Sequence, residues 1–150
     1  MMAVDVFVDT NILLRATIDR FPEHTAARAL LLQQRESGAI LWISRQVIRE
    51  ILVQVTRTSP FTLEPILSID QAEAMVLNFH ALYRIADDTA AVTDKLFALL
   101  KQYPTGGKQI HDANIVATML ANGITRLITL NVADMKRFTS IEIISLPPSS

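Results

Sequence analysis

Four acidic residues stand at points in this sequence where a fold could collect them: Asp9, Glu50, Asp112 and Asp134. Each alone has an ordinary explanation. Asp9 follows the apolar run Val4–Val8 and suits a helix N-cap. Asp112 could complement a helix dipole, Asp134 could cap or solvate a loop, and Glu50 could be a surface carboxylate beside a buried helix face. Together, near matching ends of successive units, they are harder to explain as independent caps. Carboxylates held close raise one another's pKa values, and a hard divalent cation removes that penalty. Magnesium prefers oxygen ligands and keeps several waters, so two to four carboxylates with an open coordination position suit it. Such an ion generates hydroxide and stabilises charge on a phosphodiester. The pattern therefore predicts phosphoryl chemistry rather than acyl transfer. Thr10 and Asn11, next to Asp9, either orient a ligand or metal-bound water or close the turn through side-chain hydrogen bonds.

These acids must be positioned by short apolar strands alternating with helices. Val4–Val8 reads as a buried strand, and Ile12–Ala16 as helical. Pro22 suits the first turn of a helix running to about Glu36, which Ser37-Gly38 ends. Ile40–Ile43 is a second strand. Ser44 is placed to cap a helix to about Arg57, whose stripe is Val47, Ile48, Ile51, Leu52 and Val55. Pro60 and Pro65 punctuate a loop. A helix from about Asp70 to Leu82, a weaker strand Tyr83–Ala86, and a helix from Asp88 to about Tyr103 follow. Pro104 and Gly106-Gly107 stop the last of these. A helix over 110–122 ends at Asn122-Gly123. Leu127–Leu130 and Ile141–Ile144 are the fourth and fifth strands, and Pro147-Pro148 ends the ordered chain. The alternation predicts an α/β fold, a parallel sheet of about five strands covered on both faces. Ligands of such sheets bind at the carboxyl ends of the strands. One domain over residues 1–146 with a short tail, 147–150, accounts for the length.

The 150 residues are half hydrophobic and 19% charged, as expected of a packed domain. The absence of cysteine excludes disulfides, cysteine-ligated zinc and a thiol nucleophile. No basic leader precedes Asp5, and no uncharged run is long enough for a membrane span, so a cytoplasmic protein without a membrane partner is expected. The net charge of −1 gives nucleic-acid binding no global support. Local basic sets, Arg45 with Arg49 and Arg57, and Lys136 with Arg137, are either a binding surface or solvated helix faces. Gly106-Gly107-Lys108 lacks the glycine spacing and hydroxyl residue of a phosphate loop and reads as a helix entry. The three histidines form no zinc motif.

Four blocks carry a family resemblance. Val8-Asp9-Thr10-Asn11-Ile12-Leu13-Leu14 resembles the opening motif of the PIN-domain family. Ser44–Glu50 resembles its glutamate-bearing helix, His111–Ala117 its third acidic motif, and Thr129-Leu130-Asn131-Val132-Ala133-Asp134 its closing motif. Order and spacing agree from roughly Val4 to Ile144. The resemblance maps Asp9, Glu50, Asp112 and Asp134 to the metal-binding acids. It places Asn131 at a position often acidic in relatives, and gives Thr10 and Thr129 supporting hydroxyls. Met135 stands where many relatives have Phe, with Phe138 further on.

The resemblance implies a three-layer α/β/α sandwich and cleavage of single-stranded RNA with Mg2+ or Mn2+. It also implies frequent homodimers; the apolar segments near Ala26–Leu32 and Phe97–Leu100 could serve one, although most of that surface is expected in the core. The compact length is similar to the toxin branch, VapC-like, which a protein antitoxin neutralises. A haloacid-dehalogenase-type phosphatase would need a second Asp where Asn11 stands, and a receiver domain would need acids clustered near the first strand, whereas Asp5 lies on its wrong side. The remaining alternative is a catalytically silent PIN-like module that binds RNA or protein.

Overall fold

The computed structural model describes residues 3–58, 61 and 63–147. The elements run β1 (Asp5–Val8), α1 (Thr10–Thr17), α2 (His24–Glu36), β2 (Ile40–Ser44), α3 (Arg45–Thr56), α4 (Ile69–Leu82), β3 (Arg84–Ala86), α5 (Ala90–Gln102), α6 (Gln109–Ala121), β4 (Arg126–Ile128), α7 (Val132–Met135) and β5 (Glu142–Ile144). Five parallel strands form one sheet in the order β3-β2-β1-β4-β5. The chain winds outward from β1 through β2 to β3, then crosses to the other side of β1 for β4 and β5. Because parallel crossovers are right-handed, that reversal puts helices on opposite faces. Packing agrees: α1 lies against α2 and α3, α3 against α4, and α5 against α6. The expected three-layer α/β/α sandwich with five parallel strands is the observed fold.

The register explains the core. Val6, Phe7 and Val8 are completely buried, since β1 is central and covered on both faces. Asp5, at the start of β1, accepts a hydrogen bond from Trp42 Nε1 of β2 at 2.9 Å and so serves the sheet. In α6, Ala113 and Ile115 through Met119 are all buried, as expected of a helix enclosed on most sides. The stripe of α3 is buried at Val47, Ile48, Ile51 and Val55 and partly at Leu52. Gly38 and Gly123 follow α2 and α6 with φ of 94° and 70°, the left-handed termination that favours glycine.

Boundaries differ from expectation where side chains take over from the ladder. Pro22 lies before α2, in the turn that precedes His24. Ser68, a capping-box residue with Gln71, starts α4 a residue early, and Thr89 caps α5 later than Asp88. β4 is Arg126–Ile128, so Thr129 and Leu130, expected in the strand, lie past its end. Asp134 lies inside the one-turn α7, neither in a loop nor at a cap. Ser44 does cap α3, accepting from Val47 N. The loop expectation at Pro60 and the terminal stop at Pro148 lie outside the described residues. Leu32 and Phe97 are more than half exposed, while their neighbours Leu30, Leu31 and Leu99 belong to the core. Among the described residues no helix is long and apolar enough to cross a membrane.

Candidate active site

The reversal of winding leaves a crevice between the carboxyl ends of β1 and β4, the position where doubly wound sheets bind ligands. Asp9 is the first residue past β1. Its backbone N–H donates to Ile128 O of β4 at 3.0 Å, so the ladder itself fixes its place. It also caps α1: Oδ1 accepts from Thr10 N at 2.8 Å. Oδ2 accepts from the Thr129 hydroxyl at 2.8 Å and, more weakly, from Asn11 Nδ2 at 3.5 Å. Asp9 is thus the N-cap expected of it, and it stands at the carboxyl end of the central strand.

A cleft of about 930 Å³ opens above Asp9. Of the eight residues singled out from the sequence, Asp9, Thr10, Asn11, Glu50, Asp112 and Asn131 line it. Thr129 is completely buried and holds Asp9 from behind. Asp134 is exposed and lies outside the cleft lining, yet its charge reaches Asp112. Asn11 spans the crevice, its Oδ1 accepting from Leu130 N at 3.1 Å. Asn131 donates from its own N–H to Thr129 Oγ1 at 2.9 Å, and its amide lies 3.5 Å from Asp112 Oδ2.

Glu50 is held by a second set of contacts. Thr10 Oγ1 donates to its Oε1 at 2.7 Å, and Gln46 Nε2 to its Oε2 at 3.2 Å. Gln46 is the residue that sequence reasoning missed. It is 5% exposed, donates also to His111 O at 2.9 Å, and accepts from Asn114 Nδ2 at 2.7 Å. It thus ties α3 to α6, and hence Glu50 to the segment carrying Asp112. Its position one helical turn before Glu50 was the available signal.

The electrostatics match a crowded anionic pocket. Burial, with smaller contributions from the charges of Glu50 and Asp112, pushes the Asp9 carboxyl up to about 6, despite the bonds from Thr129 and Thr10 that favour the anion. Burial also raises Asp112, helped by Asp134 and Glu50, while Arg137 and Asn131 oppose the shift. Arg137 packs on Phe138, 4.6 Å from guanidinium carbon to ring centre, and its Nη1 donates to Thr105 Oγ1 and Gln109 Oε1, both at 3.2 Å. Among the described residues no three His, Asp or Glu side chains are gathered tightly enough to enclose an ion by themselves.

The expected basic sets are largely spoken for. Arg45 pairs with Asp87 at 3.0 Å and Arg49 with Asp88 at 2.9 Å. Lys108 lines the cleft at the position before α6, which is the helix-entry role expected of Gly106-Gly107-Lys108.

Comparison with known proteins agrees with this architecture. No curated protein matches significantly. Among solved structures, a chain of VapBC2 from Rickettsia felis, bound to a DNA fragment from its promoter, superposes with a TM-score of 0.68 at 20% identity, covering 96% of this chain and 100% of that one. VapBC-1 from nontypeable Haemophilus influenzae gives 0.64 at 17% identity, covering 95% and 98%. VapC20 of Mycobacterium tuberculosis, a toxin that cleaves the sarcin-ricin loop, gives 0.61 at 19% identity, covering 81% and 86%. At such identities the likeness establishes the fold. The PIN domain family itself matches residues 6–139, nearly the whole chain and all four acidic blocks, and the protein belongs to that family.

Proposed function

We propose that this chain is a divalent-metal-dependent endoribonuclease that cuts single-stranded RNA, and that it is the toxin of a toxin–antitoxin pair. The observation that carries the reading is the convergence of Asp9, Glu50 and Asp112 on one cleft at the strand-order reversal. Burial, with smaller contributions from the charges of Glu50 and Asp112, disfavours the Asp9 anion, a cost that a cation in the cleft would offset.

The donor set fits magnesium or manganese. It is all oxygen, and an ion that keeps several waters does not need every carboxylate in direct contact. Asp9, Glu50 and Asp112 would hold the ion, with Asp134 adding charge from the rim. When bound, such an ion would supply activation of water and charge stabilisation on the phosphodiester. The protein's own part is placement. Thr129 and Thr10 fix the two oxygens of Asp9, and Thr10 and Gln46 fix those of Glu50. Asn131, amide-bearing where relatives are often acidic, orients Asp112. Lys108 on the cleft lining offers positive charge to a flanking phosphate.

The toxin assignment is supported by the structural neighbours, which include VapBC assemblies and a toxin that cleaves the sarcin-ricin loop. An antitoxin protein, a homodimeric state and a cytoplasmic setting accompany it as proposals. The second reading, a silent PIN module that binds RNA or protein, is favoured by the loose spacing of the acids.

The test is cleavage of a mixed single-stranded RNA pool, with Mg2+ or Mn2+, by the parent and Asp9→Asn. Metal-dependent cutting by the parent alone supports the nuclease. Absence of cutting by folded, partner-free parent favours the silent module. Equal cutting by both proteins removes the acidic cleft from consideration.

A further inference from the structure

The cleft has a second half that the acids do not use. One helical turn beyond Thr10 and Asn11, ~5.4 Å along α1, lie Leu14 and Arg15. One turn beyond Glu50 on α3 lie Val53 and Gln54. Phe21, from the loop after α1, closes this end, and all five residues line the same cleft as Asp9 and Asp112. Three of the five, Leu14, Phe21 and Val53, are apolar, and Val53 is 59% exposed.

Its central group is immobilised. The Arg15 guanidinium lies 5.3 Å from the centre of the Phe21 ring. Its Nε donates to Glu23 Oε2 at 3.1 Å and its Nη1 to Asn11 O at 3.1 Å. His24 Nδ1 lies 2.7 Å from Arg15 O, which fastens the start of α2 to the end of α1. A planar cation held at two points and laid on an aromatic ring is a preorganised stacking surface rather than a free phosphate ligand. Unpaired nucleobases stack on aromatic side chains and on guanidinium planes. The lining also suits a strand: it combines carboxylates, the apolar side chains Leu14, Phe21 and Val53, and Lys108 as a cation for a phosphate.

We infer that Phe21, Arg15 and Val53 form a seat for one nucleobase of a single-stranded RNA, adjacent to the phosphodiester presented to the acids. The inference rests on the proposed RNA-cleaving function and names the subsite that selects the cleavage position. A partner protein's apolar side chain in the same place is the competing occupant.

The test separates the two ideas by measuring binding without turnover. Asp9→Asn protein is titrated with a fluorescent single-stranded RNA and with versions in which each nucleotide in turn lacks its base. The expected result is a loss of about tenfold or more in affinity at one position. That loss should disappear when Phe21→Ala is added and persist with Phe21→Trp. Val53→Glu, at an exposed site, should remove it as well, and keeps the test open if Phe21→Ala does not fold. Salt-sensitive RNA binding that is indifferent to every missing base overturns the base seat while leaving an RNA-binding cleft. A positional loss unchanged by both the Phe21 and Val53 variants also overturns it, placing the seat elsewhere. Absence of RNA binding overturns the seat together with the functional reading beneath it.

Discussion

The hydroxyl of Thr129 donates to Asp9 Oδ2 at 2.8 Å across 120 residues of sequence, and the same oxygen accepts the backbone N–H of Asn131 at 2.9 Å. One buried oxygen therefore orients the carboxylate at the end of β1 and the turn that follows β4. Replacing Thr129 by Val keeps the shape and removes the donor. The expected cost is about 1.5–3 kcal/mol at pH 7.5, where Asp9 is ionised, because the bond is made to a buried charge. Thr129→Ser should keep most of that stability. Urea unfolding of the three proteins measures it, and equal midpoints would mean the bond is not formed in solution.

The raised Asp9 makes a prediction about pH. Its folded value of about 6 lies above the ordinary 3.8, so folding favours the protonated form. The associated stability is fully present below pH 3.8 and is lost as pH rises through 6. Metal-free protein should thus lose on the order of 3 kcal/mol of this contribution between those limits. Asp9→Asn should flatten that slope, and saturating Mn2+ should offset it at neutral pH. Calorimetric unfolding from pH 4 to pH 7.5 reads all three, and a parent profile identical to that of Asp9→Asn would refute the shift.

Gln46 joins α3 to α6 through a buried amide. Gln46→Leu leaves Asn114 Nδ2 without its acceptor and Glu50 Oε2 without this donor. We expect a loss of roughly 1–3 kcal/mol and weaker Mn2+ binding, of order tenfold, because the groups that orient ligands set metal affinity. Isothermal titration with Mn2+ beside urea unfolding separates the two effects. A stability loss with unchanged Mn2+ affinity would confine Gln46 to a packing role.

Arg45 offers a contrast. Its pair with Asp87 is exposed on both sides. Exposed pairs contribute about 0–1 kcal/mol, so Arg45→Ala should shift the urea midpoint little. A loss comparable to that of Gln46→Leu would show that the α3–β3 edge is more tightly built than its exposure suggests.

Much of this was legible in the sequence because local chemistry and global fold agreed. Val4–Val8 and Ile40–Ile43 read as buried strands by composition alone, and Ser44 announced the helix it caps. Asp9 was legible for two reasons at once, since a cap past a buried strand is also the carboxyl end of a sheet. What was not legible depended on contacts between distant segments. Thr129 and Leu130 continue an apolar run, and only the bonds to Asp9 and Asn11 take their polar groups out of the strand role. Gln46 looked like an ordinary residue in a helical first turn, because its three partners lie on two different helices. α7 is four residues long, too short for a periodicity to mark it. The basic sets were visible as charges, but their partners Asp87 and Asp88 come from beyond another strand.

The pairing of β1 with β4 also bears on when a growing chain acquires its cleft. The first acid leaves the ribosome early, but the strand that locks its backbone, and the hydroxyl that orients it, are made more than a hundred residues later. Until residues 126–131 have docked beside β1, Asp9 lacks both its ladder bond and its Thr129 contact. A nascent or truncated chain that stops short of that point therefore holds the first acid without the partners that fix its geometry.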